Sequence, residues 1–90
     1  MSMKQKKILG ARLRAARQAA RMSQDFSSDT LGVTRQSVSA WENGVSCPSS
    51  IQLAGLATLY CVCAHSLLFG VPYAEIKYSK DALLEKHPDN

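Results

Sequence analysis

Residues 24–44 read QDFSSDTLGVTRQSVSAWENG. Ser23, just ahead of them, is a good N-cap, because its hydroxyl can accept from an unpaired N–H of a first helical turn. It predicts a helix running to about Leu31. Gly32 stops that helix, since glycine enters the left-handed conformation without a Cβ penalty. Thr34 caps again and opens a further helix, Arg35 to Asn43, which Gly44 closes. Two short helices joined through Gly32, Val33 and Thr34 are set at a steep angle. Ser28 is small enough to let the first of the pair approach the second. Val38 and Trp41 lie one turn apart and face inward. That leaves Arg35, Gln36, Ser39 and Ala40 on the outward face, with Ser37 and Asn43 at its flanks.

The flanking sequence is also helical. Leu9, Leu13, Ala16 and Ala20 recur at four, three and four, predicting a helix from about Lys6 to Arg21 whose other face carries Arg14, Arg17 and Arg21. Pro48 cannot continue a helix and Ser49 can cap one. Leu53, Leu56, Ala57 and Tyr60 then follow at the i, i+3, i+4, i+7 spacing of a buried face. A short fifth helix, about Ala64 to Phe69, ends at Gly70. The expected fold is all-α, a compact five-helix domain with a short C-terminal extension. The chain divides into a basic arm (1–7), the helical domain (8–70) and the extension (71–90). In the extension, Val71 to Tyr78 reads as extended. Ser79 to Lys86 reads as a short helix stopped by Pro88.

Composition narrows the function classes. The chain has 90 residues, 46% hydrophobic and 20% charged, which suits one folded domain and excludes a disordered one. The longest apolar candidate, Ile51 to Leu59, is interrupted by Gln52, Gly55 and Thr58, so no membrane span is expected. No uninterrupted apolar run follows Lys4, Lys6 and Lys7, which argues against a secretory leader. Cys47, Cys61 and Cys63 are odd in number, and reduced thiols in a cytoplasm are the simpler reading. The run Cys61, Cys63, His65 fits no strong zinc spacing, so neither a metal nor a cofactor is expected. Nor is there a nucleophile with a paired base, or a glycine-rich phosphate loop, to suggest an enzyme. Charge is asymmetric: residues 1–21 hold seven Lys or Arg and no acid, which suits a polyanionic partner.

The outward face fits such a partner chemically. Arginine can bridge the two major-groove acceptors of guanine, and glutamine the donor and acceptor of adenine; alanine is small enough to touch a thymine methyl. Thr34, Ser37 and Asn43 can bond phosphate oxygens beside a helix N-terminus that is itself partly positive. Residues 8–70 resemble the lambda-repressor-like helix-turn-helix family, the Cro/C1 or XRE type. The resemblance is carried by Leu13 with Arg17, by Met22-Ser23-Gln24, by the block Leu31 to Gly44, by Pro48-Ser49 and by Leu67-Leu68-Phe69-Gly70. It implies base contacts from Arg35, Gln36 and Ala40, with Ser39 beside them. It also implies phosphate contacts from Gln24 and Asn43, and a structural ion pair between Arg17 and Glu42.

Departures from the family pattern matter too. Ser27 and Ser28 stand where leucine and alanine are usual. Unless Phe26 swings inward, a hydroxyl at Ser27 replaces core hydrocarbon, at a cost of roughly 1–3 kcal/mol. The loop after Gly44 lacks the usual basic residue, which shifts phosphate binding onto Arg12, Arg14, Gln24 and the basic N-terminus. Cys61 replaces a common glycine at a helix end. The expected function is sequence-specific regulation of transcription, as a repressor binding double-stranded DNA at a palindromic operator. Such a protein acts as a homodimer, through apolar residues of 62–86 that include Leu67, Tyr73, Ile76, Tyr78, Leu83 and Leu84. The alternative is an antitoxin-like module that binds a toxin or other protein partner.

Overall fold

A computed structural model describes residues 2–71, and these form five helices: α1 (Met3–Ala19), α2 (Gln24–Leu31), α3 (Arg35–Glu42), α4 (Ser50–Tyr60) and α5 (Ala64–Phe69). The all-α expectation holds among the described residues. The readings made for residues 72–90 lie outside them.

Each of the first four helices starts on a hydroxyl. Ser2, Ser23, Thr34 and Ser49 accept from the N–H of Gln5, Phe26, Ser37 and Gln52, respectively. Ser2 and Ser49 complete a reciprocal box, their own N–H groups donating to the side chains of Gln5 at 2.9 Å and Gln52 at 2.8 Å. The Ser2 box corrects the expected start of the first helix. Residues 3–7 are its opening turns, so Lys4, Lys6 and Lys7 ride on α1.

Helix ends show a second regularity. Arg21, Gly32, Gly44 and Cys61 are left-handed, with φ of 59°, 72°, 72° and 56°. The apolar residue after each sends its N–H back five residues: Met22 to Arg17, Val33 to Ser28, Val45 to Ala40 and Val62 to Ala57. The turn at Cys61 is therefore made without glycine.

The core is a single cluster of Leu9, Leu13, Val38, Trp41, Leu53, Leu56, Ala57, Tyr60 and Leu67. Every stripe predicted from periodicity points into it, with Ala16 and Ala20 half-buried at its edge. Leu67 corrects an expectation: it is 2% exposed, so it belongs to this core and is not free for a dimer surface. Phe26 does not swing inward and stays 52% exposed. Ser27 instead is fully buried, yet its hydroxyl donates to the carbonyl of Ser23 at 3.0 Å and accepts from the Tyr60 hydroxyl at 2.8 Å. Both partners offset the desolvation cost foreseen for that hydroxyl.

Candidate nucleic-acid interface

The outer face of α3 can only read a partner if its inner face is immobile. Val38 (1% exposed) and Trp41 (5%) anchor it in the core. Glu42, at its end, holds it electrostatically. The Glu42 side chain is 1% exposed; its Oε2 accepts from Arg17 Nε at 2.7 Å and its Oε1 from Arg17 Nη2 at 3.0 Å. Gln24 Nε2 at 3.1 Å and Arg14 Nε at 3.4 Å also donate to Oε1. Burial alone would push the carboxyl pKa up, but the bonds from Arg17, Gln24 and Arg14 outweigh it, and Glu42 lies below its ordinary value. Arg17 is correspondingly raised, its hydrogen bond to Glu42 outweighing its own desolvation. A third Arg17 bond, Nη1 to the Met22 carbonyl at 2.8 Å, reaches the α1–α2 turn. One carboxylate thus ties α1, α2 and α3 together. The ion pair implied by the family resemblance is present, with Gln24 and Arg14 added to it.

Gly10 completes the seat. A Cβ there would come within 2.5 Å of the Trp41 carbonyl oxygen and 2.6 Å of that of Glu42, so α1 and α3 meet backbone to backbone. The only sequence signal for this contact is a glycine inside a helical pattern.

Against this seat the outward residues stand as follows. Arg35 and Gln36 are exposed; Ser39 and Ala40 are half-buried. Gln24, Arg35, Gln36 and Ser39 line one shallow cleft of about 240 Å³ where α2 meets α3. Arg35 Nε lies 3.6 Å from Asp25 Oδ1, with the two side chains 65% and 73% exposed. An ion pair that open contributes at most about 1 kcal/mol, so it aims the guanidinium without occupying it. Thr34 and Ser37 hydroxyls sit 3.0 Å apart at the start of α3, one donating to the other. Asn43 Oδ1 accepts from Arg14 Nη2 at 2.8 Å, and Asn43 Nδ2 donates to Ser39 Oγ at 3.2 Å.

Two expected phosphate contacts change character. Arg12 is two residues from Arg14 and so on the far side of α1. Its Nη1 donates to the carbonyls of Leu68 at 2.9 Å and Leu67 at 3.3 Å, capping the end of α5. Arg12 therefore has one guanidinium nitrogen engaged at the end of α5. Gln24 has committed an amide N–H to Glu42. Conversely, Lys6 and Lys7 border one surface depression with Asn43, Gly44 and Val45. The helical start of α1 thereby brings cations to a loop that has none of its own.

The cysteine-histidine run does not converge. Cys61 and Cys63 are exposed, and His65 Nδ1 lies 2.9 Å from the Val71 carbonyl oxygen with its ring 4.4 Å from that of Phe69. Among the described residues no group of His, Cys, Asp or Glu is placed to hold a metal ion. No helix among them is long and apolar enough to cross a membrane.

Two short helices joined by a tight turn at Gly32, the second seated inside and polar outside, are the arrangement of a helix-turn-helix. The family model described by that term matches residues 13–60, from within α1 to the end of α4. The chain belongs to the helix-turn-helix family, of the Cro/C1 or XRE type. As a helix-turn-helix protein of this type it is a DNA-binding transcriptional regulator, and its family is regulatory rather than enzymatic. No curated protein matches the helix-turn-helix chain.

Proposed function

We propose that the protein is a sequence-specific repressor that lays α3 in the major groove of a palindromic operator, two copies binding as a dimer. One observation carries this reading. α3 is fixed on its inner side by Val38, Trp41 and Glu42, while Arg35 and Gln36 remain exposed on the other side and share a cleft with Ser39. Rigid seating matters because base readout depends on placing donors within hydrogen-bond range of fixed base edges. Arg35 reads guanine, Gln36 reads adenine, and Ala40 offers a methyl group to thymine. The Thr34–Ser37 hydroxyl pair, the first N–H groups of α3, Gln24 and the basic residues Arg14, Lys6 and Lys7 face the phosphates. An outward face of Arg and Gln, with no apolar patch, favours DNA over a protein partner at this surface.

A single α3 spans only a few base pairs, so genomic specificity calls for a second copy with half-sites about 34–36 Å apart. Ile8, Leu68 and Phe69 are exposed around a groove between α1 and α5, and supply apolar surface for such pairing together with the 71–90 extension. Occupying a promoter then excludes polymerase sterically.

Selection of bound sequences from random duplexes tests this directly. The expected outcome is a palindrome with that spacing, bound more weakly as salt rises, with a log–log slope near −0.9 per phosphate neutralised. Arg35→Ala should lose about 1–3 kcal/mol on the selected site and much less on random DNA. No enriched sequence, or binding indifferent to salt, would refute the reading.

A further inference from the structure

The hydrogen bonds at the end of α3 form a chain whose direction is set by chemistry alone. A guanidinium has only donors. Arg14 is anchored by Nε to Glu42, and its Nη2 meets the Asn43 side chain at 2.8 Å. That meeting atom must be the amide oxygen, so the Asn43 orientation is not a free choice between O and N. Asn43 Nδ2 therefore faces Ser39 Oγ, 3.2 Å away one turn back, and the serine oxygen must accept. Its proton is left to point elsewhere. Ser27, Ser28 and Thr58 spend theirs on carbonyls of their own helices, at 3.0, 2.9 and 2.9 Å, and Ser39 has no such bond among the described residues. Ser39 lines the cleft it shares with Arg35 and Gln36.

We propose that Arg14 and Asn43 are positioning residues that fix Ser39 as a hydrogen-bond donor, making it a specificity determinant for a base with a major-groove acceptor. Guanine offers O6 and N7, adenine N7 and thymine O4; cytosine, which offers only its amino group, is rejected as donor against donor. The proposal rests on the regulator reading and deepens it. It also moves Asn43 from phosphate contact to base selection.

The test is sequence selection from random duplexes by the full chain and by three variants, comparing base frequencies pair by pair. Ser39→Ala should flatten one pair, removing a discrimination of about 3- to 10-fold against cytosine. The pairs read by Arg35 and Gln36 should be unchanged. Asn43→Asp keeps an acceptor for Arg14 but turns a second acceptor toward Ser39, taking the hydroxyl proton. The serine then presents lone pairs, and preference at that same pair should move toward cytosine and away from guanine and thymine, with adenine kept through its amino group. The added charge lowers affinity for all sequences alike and drops out of the comparison. Arg14→Met releases the amide, and all four bases should be accepted there. The unfolding curve of Ser39→Ala should stay close to that of the parent chain. That of Asn43→Asp should give a folding constant within about fivefold of the parent's, or about 1 kcal/mol, the cost of an acid at an exposed helix C-terminus. The inference falls if Ser39→Ala selects the parent site unaltered, or if Asn43→Asp weakens every pair equally. If the parent chain itself selects no sequence, the regulator reading falls first and this inference with it.

Discussion

Replacing Glu42 by glutamine probes the seat of α3 most directly. The substitution is nearly isosteric, so packing is preserved while the charge goes. Arg17, whose side chain is 13% exposed, then loses the only carboxylate it contacts among the described residues, at 2.7 and 3.0 Å. Stranding one member of a buried pair typically costs ~3–5 kcal/mol. Arg17 keeps its bond to the Met22 carbonyl, and a glutamine oxygen still accepts one donor, which places the loss near ~3 kcal/mol. At roughly 4–8 °C per kcal/mol for a domain of this size, the melting midpoint should fall by about 12–24 °C. The pH dependence carries a sharper signature. Glu42 has its pKa lowered in the folded state, so its contribution is fully present above the unfolded-state value of about 4.3 and is lost as pH falls through the lower folded-state value. The stability gap between parent and Glu42→Gln should therefore be widest near neutrality and close progressively in acid. Thermal unfolding followed by circular dichroism from neutrality down to strong acid measures it. A midpoint within about 3 °C of the parent at neutral pH, or a gap that stays constant into acid, would refute the account of Glu42 as an ionised tie.

Three further outcomes test the packing. Gly10→Ala should cost about 1–3 kcal/mol in urea unfolding, because its Cβ would press on the Trp41 and Glu42 carbonyls; an unchanged midpoint would mean α1 and α3 can separate freely. Tyr60→Phe should cost about 1–2 kcal/mol by removing the donor to Ser27, and the double variant with Ser27→Ala should cost less than the sum of the two singles; strict additivity would deny the bond. Cys61→Gly should raise stability by about 1 kcal/mol, since φ of 56° carries a Cβ penalty that glycine lacks; a loss would show that the thiol side chain contributes packing there.

How far the sequence could be read depended on how local the physics was. Caps at Ser23, Thr34 and Ser49 and left-handed stops at Gly32, Gly44 and Gly70 are interactions within a few residues, and all are present. The Ser2 cap is equally local, but a run of lysines at 4, 6 and 7 reads as an arm as readily as a first helical turn. Periodicity told which stripe of each helix is buried, because a helix puts residues three and four apart on one face. It also leaves Arg35 and Gln36 outside by elimination, and so marks the candidate interface.

Matters decided between helices stayed out of reach. Arg12 and Arg14 look alike in sequence, yet one caps α5 and the other grips Glu42 and Asn43, since two residues along a helix turn a side chain by about 200° toward different neighbours. Leu67 has the composition of an interface residue and became core because α5 folds its side chain inward. Ser27 looked like a defect until Tyr60, distant in sequence, proved to be its partner. The one-dimensional string specifies which segments are helical and which faces are apolar, as those follow from each residue and its near neighbours. Which arginine meets which acceptor, and which buried hydroxyl finds a distant partner, follow only from how the helices cross.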